Sequence, residues 1–367
     1  MNPKALETEE ILRKMNQDSN YKSTIEETVK RARSAMESIS NYDQKQIDQL
    51  VKAVAWSLYE PKRARELAEI AVEDTKLGNV EDKVIKNQRK TLGTLDDLLK
   101  VKTVGVVSED LQAGIVEYAK PVGVVGTLTP STNPAATPVN QAMMAIKGGN
   151  AIVVSPSPTG LRTARMLEKN IHFELQKLDA PLALFKVLPG PVSLEKAEYL
   201  MKLVDLVLVT GDQANVRKGY SSGTPCIGVG KGNVPVIVDK SANLKDAAKK
   251  IAQSKTFDNA TSCSSENAII VDEKVYEDFL HEMLKVGAVF VPANSADAIQ
   301  NSIFPGGQIN RQIIGKPIKH VADLVGLNVP SDARFILVEQ QAIGPEHPLS
   351  GEKLSLIVSL YKSSNFS

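Results

Sequence analysis

Cys263 stands in the stretch FDNATSCSSEN (257–267), among small polar residues and just ahead of the apolar run AIIV. A thiol acts as a nucleophile only as its thiolate, and it needs room for a substrate and an environment that favours the anion. At a loop-to-strand junction, backbone amides are also free to meet a developing oxyanion. The residue type alone leaves a second reading open, a small buried structural cysteine. The loop TLTPSTNP (127–134) is the next candidate. Its two prolines fix the backbone, and Asn133 places an amide just ahead of a helix expected to begin at Pro134. That amide either polarises a carbonyl oxygen or caps the helix. Glycines supply a third signal, in VTGDQ (209–213) with Gly211 and in GVGKGN (228–233) with Gly228. Glycine lets a flat ring or a phosphate come close to the backbone, and it also serves ordinary tight turns. GVGKGN leads into no helix, so it does not meet the dinucleotide fingerprint.

The elements around these residues set the fold class. Residues 1 to about 100 read as helices. In YDQKQIDQLVKAVAWSLYE, Ile47, Leu50, Val51, Val54 and Leu58 recur at helical spacing, and Pro61 opens the next helix. From about 113 short β-rich runs alternate with helical patterns: VGVVGTLTP, a helix closed by glycine, AIVVS, a helix, LFKVL, a helix, VDLVLVT, a helix and CIGVG. Such alternation predicts an α/β chain with a doubly wound, mostly parallel sheet, whose ligands lie at the carboxyl ends of the strands. The predicted domains are 1–240, helices plus a cofactor-binding sheet, and 241–367, which carries Cys263.

Composition narrows the function classes. With 44 basic and 43 acidic residues the net charge is +1, giving no electrostatic reason to expect nucleic acid or a membrane surface as partner. Two cysteines cannot make a disulfide framework, which fits a reducing cytoplasmic setting, and four scattered histidines form no zinc pattern. The N-terminal stretch is charged and lacks the apolar core of a signal peptide. No metal is expected.

In order along the chain, TPSTNP, SPSP, YSSGTPCIGVGKGNVPVIVD, SKTFDNATSCSSENAIIVD and HPLSGEKLS resemble the CoA-acylating branch of the aldehyde dehydrogenase superfamily, over roughly residues 20 to 360. The resemblance implies N-terminal helices with a Rossmann-like parallel sheet and a second, here incomplete, α/β catalytic domain. It implies oxidation of a short aldehyde with NAD or NADP, and coenzyme A as co-substrate. Cys263 is then the nucleophile that carries an acyl thioester, and Asn133 with the Cys263 N–H holds the oxyanion. Thr129, Pro130, Ser155, Ser157, Gly211, Gly228 and Glu352 are the implied cofactor-binding residues, Glu352 near the nicotinamide ribose. Hydrolytic relatives use a glutamate in an ELGG-like motif to activate water. The matching IGVGKG has no acid, so a thiol acceptor is expected. The aldehyde implied is sulfoacetaldehyde ahead of acetaldehyde and succinate semialdehyde.

The chain departs from the family pattern at Lys76, where relatives carry glycine, at Lys231 within the usual GAGN, and at Leu356 in place of a proline. It also stops well before the pattern does. Two alternatives follow: an impaired copy that keeps nucleotide binding, with the homodimer or tetramer depending on the family's tail, or a hydrolytic aldehyde dehydrogenase.

Overall fold

In a computed structural model the backbone of residues 3–365 and the side chains of 21–365 are described; the side chains of the charged N-terminal stretch lie outside the described residues. The chain forms two compact units, one of residues 1–74 and 84–230, the other of 75–83 and 231–367.

In the first unit four helices, Pro3–Ser38, Gln44–Tyr59, Pro61–Thr75 and Val80–Leu99, precede the sheets. Asp43 and Gln46 close a capping box at the second, each side chain accepting from the other's backbone N–H. The stripe Ile47, Leu50, Val51, Val54 and Leu58 is buried in one core with Val124, Ile152 and Leu167. An antiparallel hairpin follows, β1 (Gly105–Asp110) with β2 (Ile115–Ala119). The first of these strands, GVVSED, falls before residue 113 and was not expected. Its two valines are adjacent and its other residues small or polar, so it carries no period-two alternation for a sequence pattern to register.

Five parallel strands make the main sheet: β3 (Val124–Thr129), β4 (Ala151–Pro156), β5 (Phe185–Val187), β6 (Leu206–Thr210) and β7 (Cys226–Val229). Their order is β5-β4-β3-β6-β7, so the winding direction reverses between β3 and β6. β3 and β4 are buried throughout, as expected of strands covered on both faces.

The second unit holds another all-parallel sheet, of β8 (Pro235–Val238), β9 (Ala268–Asp272), β10 (Ala288–Val291), β11 (Phe335–Gln340) and β12 (Ile357–Ser363), in the order β10-β11-β12-β9-β8. Phe335 and Leu337 pack into one core and Ile336 and Val338 into another, the period-two signature of a strand buried on both faces. By packing the division falls at Gly230/Lys231, within about ten residues of the boundary expected near 240. The physical reason is pairing: β8 bonds to β9, so VPVIV belongs to the second sheet.

The stretch Thr75–Lys83 joins the second unit through a turn in which Lys76 has φ 57° and Gly78 φ 70°. A left-handed lysine is strained by about 1 kcal/mol relative to glycine. Lys76→Gly is therefore expected to raise stability by roughly that amount, read as a higher urea midpoint. Leu356, in place of proline, is buried in the core and its carbonyl accepts from Ile336 N–H at 2.8 Å, so that departure is accommodated.

Candidate active site

In the first unit the candidate residues gather at the carboxyl ends of strands beside the winding reversal, where a doubly wound sheet opens a crevice. β3 ends at Thr129, and Pro130 starts the turn that carries Asn133. The helix beyond begins at Ala136, not Pro134, and its N-cap position, Ala135, makes no side-chain bond. Asn133 is therefore not a capping residue; it lies half-buried in the turn. Ser157 N–H donates to Thr129 O at 3.1 Å and ties the end of β4 to the end of β3. The Ser157 Oγ is buried without a hydrogen-bond partner among the described residues. A Cβ on Gly160 would stand 2.9 Å from that hydroxyl, so the bare glycine is what gives it room. Ser155 is buried on β4.

Gly211 follows β6, and its N–H donates to Val229 O at 3.1 Å. Gly228 is shaped by packing: its N–H donates to the Tyr220 hydroxyl at 3.1 Å, and a Cβ there would meet Val216 at 2.7 Å. An unsatisfied hydroxyl at a strand end beside a glycine is a fitting donor set for the ribose or phosphate of a nucleotide.

In the second unit the geometry is the reverse. Cys263 precedes β9, Glu352 precedes β12 and Gly232 precedes β8, and these three strands are adjacent and parallel. The site therefore forms at the amino ends of a sheet, in keeping with the loop-to-strand position read for Cys263. Cys263 is exposed, in a turn closed by Ser265 N–H to Ser262 O at 3.0 Å. Among the described residues its own N–H has no hydrogen-bond acceptor, as an oxyanion donor requires. A Cβ on Gly232 would stand 3.1 Å from Cys263 O and 3.4 Å from Glu352 Oε1. Gly232 thus lets its strand pass between the thiol turn and the carboxylate. Burial pushes the Glu352 carboxyl up, opposed by the Gly232 N–H and the charges of Lys231 and Lys255. Lys231, the second departure, is therefore part of that carboxylate's electrostatic surroundings.

What delivers Cys263 to its place is a run of left-handed residues, Asp258, Asn259 and Ala260, at φ 50°, 50° and 60°. Non-glycine residues resist this conformation by about 1–2 kcal/mol each. Asp258, fully buried, holds it: its carboxylate accepts from Lys83 Nζ at 3.0 Å, Asn79 N–H at 3.0 Å and the Thr261 hydroxyl. Its own N–H donates to Asp82 at 2.7 Å. Gly78 is required beside it, because a Cβ there would fall 1.8 Å from Asp258 Oδ1. Behind the site, Lys353 is buried and donates to Asn267 O, Leu349 O and Gly351 O at 3.0, 2.6 and 2.9 Å. Sequence reasoning missed Asp258, Lys83, Lys255 and Lys353. Among the described residues no group of His, Cys, Asp or Glu could hold a metal, and no helix is long and apolar enough to cross a membrane.

The model of the aldehyde dehydrogenase family matches residues 2–311. The chain is 47% identical over 340 residues to a sulfoacetaldehyde dehydrogenase (acylating) of Cupriavidus necator, covering 92% of this chain and 69% of that protein. An acetylating aldehyde dehydrogenase from Geobacillus thermoglucosidasius superposes with a TM-score of 0.89 at 35% identity, over 95% of this chain and 77% of that one. A propionaldehyde dehydrogenase of Rhodopseudomonas palustris, solved with bound CoA and an acylated cysteine, gives a TM-score of 0.80 at 26% identity, over 93% and 77%. These matches, together with a cysteine exposed at the amino ends of a parallel sheet, establish that the chain belongs to the aldehyde dehydrogenase family, in its CoA-acylating branch.

Proposed function

We propose that the chain oxidises sulfoacetaldehyde to its acyl-CoA, with NAD or NADP as oxidant and Cys263 as the covalent nucleophile. The observation that carries this reading is the Cys263 turn itself, an exposed thiol with an unspent N–H, fixed by a buried carboxylate and bordered by Gly232 and Glu352. The name of the Cupriavidus relative favours sulfoacetaldehyde over acetaldehyde or succinate semialdehyde.

The Cys263 thiolate adds to the aldehyde carbon, and the Cys263 N–H donates to the oxyanion so formed, the family resemblance giving the Asn133 amide the role of second donor. A nicotinamide cofactor, when bound, supplies the hydride acceptor. Thr129, Pro130, Ser155, Ser157 and Gly211 would bind and orient its nucleotide, with Gly228 near the end of β7 held beside them by its packing on Val216 and Tyr220, and Glu352 would accept from its ribose hydroxyls. Oxidation leaves a thioester on Cys263. The thiol of coenzyme A then adds to that carbonyl, and Cys263 departs as the leaving thiolate. IGVGKG places no acid where water would need activation, which favours the thiol acceptor.

Purified protein with sulfoacetaldehyde and NAD or NADP is expected to reduce the nicotinamide in a sustained way only when coenzyme A is present. Acetaldehyde and succinate semialdehyde should turn over more slowly, measured as kcat/KM from the absorbance of the reduced cofactor. Equal turnover without coenzyme A would make the chain a hydrolytic aldehyde dehydrogenase. Nucleotide binding without turnover of any of the three aldehydes would leave it a binding protein.

A further inference from the structure

The two peptide groups that flank Glu352 are both held. Ahead of it, Gly351 O accepts from Lys353 Nζ at 2.9 Å; behind it, Lys353 N–H donates to Asn267 Oδ1 at 3.1 Å. Lys353 Nζ also donates to Asn267 O at 3.0 Å. Asn267 and Lys353, 86 residues apart, thus bind reciprocally, each side chain taking the other's backbone. The third ammonium donor goes to Leu349 O at 2.6 Å. Burial pulls this amine down, yet three carbonyl acceptors call for three N–H groups, which only the ammonium has. Asn267, 2% exposed, spends its Nδ2 in the other direction, on Ser265 O at 3.3 Å, in the turn that carries Cys263. A continuous path of hydrogen bonds therefore runs from the thiol turn, through one buried amide, to the peptide between Glu352 and Lys353. The strands do not supply it. β9 and β12 pair from Ala268 with Ser359 onward, and every group in the path lies ahead of that first pair.

We propose that Asn267 and Lys353 are positioning residues, a reciprocal clamp that fixes the Glu352 loop against the Cys263 turn for the oxidation step. This rests on the reading of Cys263 as the nucleophile and Glu352 as the residue facing the cofactor. Both clamp side chains are buried and bond only to protein, so they act through the two loops they join. The space between those loops tolerates little drift: a Cβ on Gly232, which passes between them, would stand 3.1 Å from Cys263 O and 3.4 Å from Glu352 Oε1. Hydride transfer needs thiol, aldehyde and nicotinamide aligned, and a misplacement of about 1 Å is enough for a hundredfold loss. A clamp serving stability alone would lower the urea midpoint when broken and leave the chemistry of the folded protein as it was.

Lys353→Met removes three buried donors and is the variant that can fail to fold. Asn267→Ala is milder: it cuts the side-chain bridge to Ser265 O and Lys353 N–H but leaves the backbone carbonyl at 267 for the ammonium. In Asn267→Ala the first turnover of nicotinamide reduction, followed without coenzyme A, is expected to slow by about thirtyfold. The KM for aldehyde should stay within about threefold of the parent. Hydrogen exchange read by mass spectrometry should rise in the segments 261–267 and 349–355, while Ala268–Asp272 and Ile357–Ser363 keep their protection. Faster exchange in the two loops with an unchanged first turnover overturns the proposal. So does a slowed turnover in which the two strands lose protection as well, or exchange that moves in neither loop. If Glu352→Gln leaves nucleotide affinity unchanged while Asn267→Ala still slows the first turnover, the clamp stands and the cofactor role of Glu352 falls. A parent chain that makes no first turnover fails the functional reading itself, and exchange in the two loops then decides the clamp.

Discussion

Cys263→Ala is expected to lower kcat/KM for the CoA-dependent oxidation by roughly 10⁴-fold or more, with no loss of fold. The size follows from the chemistry, since without the sulfur no thioester forms and neither half of the reaction has a route. The absence of a folding effect follows from exposure. The side chain fills no cavity, so its removal belongs with surface substitutions that change stability by less than about 0.5 kcal/mol. Cys263→Ser should recover little, because a hydroxyl in the same turn is a far weaker nucleophile at neutral pH. Cys226 provides the internal control. It sits half-buried on β7, burial pushes its thiol up, and Cys226→Ser should leave turnover within about twofold. Aldehyde and oxidised cofactor supplied without coenzyme A should leave an acyl group on the peptide containing Cys263, visible by mass spectrometry. An acylated Cys226, or full activity in Cys263→Ala, would overturn the assignment.

How much of this was legible before the fold depended on range. The stripe from Ile47 to Leu58, the helix opened by Pro61 and the buried strands β3 and β4 obey local rules of period and capping, and a single sequence carries those rules in full. Cys263 was legible because a thiol among small polar residues ahead of an apolar run breaks the pattern around it. Asp258 was not, because its meaning lies in Lys83, 175 residues away, and in three left-handed residues that no periodicity announces. Lys255 left a signal that went unread: it falls on the stripe of Ala248, Ile251 and Ala252, where an amphipathic helix should carry an apolar residue. Lys353 left none, since GEKLS has no period and its three carbonyl partners exist only once the loop before β12 has folded. That the Glu352 segment lies next to Cys263 was also beyond local reading, because β12 is inserted between β11 and β9 by topology alone.

Asp258→Ala is expected to cost about 3–5 kcal/mol of stability in the unit that carries Cys263, the range for breaking a buried ion pair by removing one partner. The substitution leaves the Lys83 ammonium, 5% exposed, without the Asp258 counter-charge, and it removes an acceptor of the Asn79 N–H and of the Thr261 hydroxyl. It also removes the anchor that offsets the left-handed strain at Asp258, Asn259 and Ala260. Lys83→Met should cost less, because the carboxylate keeps the Asn79 and Thr261 donors and a methionine fills similar volume. The order Asp258→Ala above Lys83→Met is therefore the discriminating result, read from urea midpoints of the two variants against the parent. Asp258→Asn separates shape from charge: it retains the side-chain oxygen for Asn79 N–H but leaves Lys83 unpaired, and it should fall between them. Where these variants remain folded, kcat should drop more than the KM for aldehyde rises. The turn that aims the Cys263 sulfur is the part released, and a misplacement of about 1 Å is enough for a hundredfold loss. Equal stability in all three variants would mean that the left-handed run stands without its buried carboxylate.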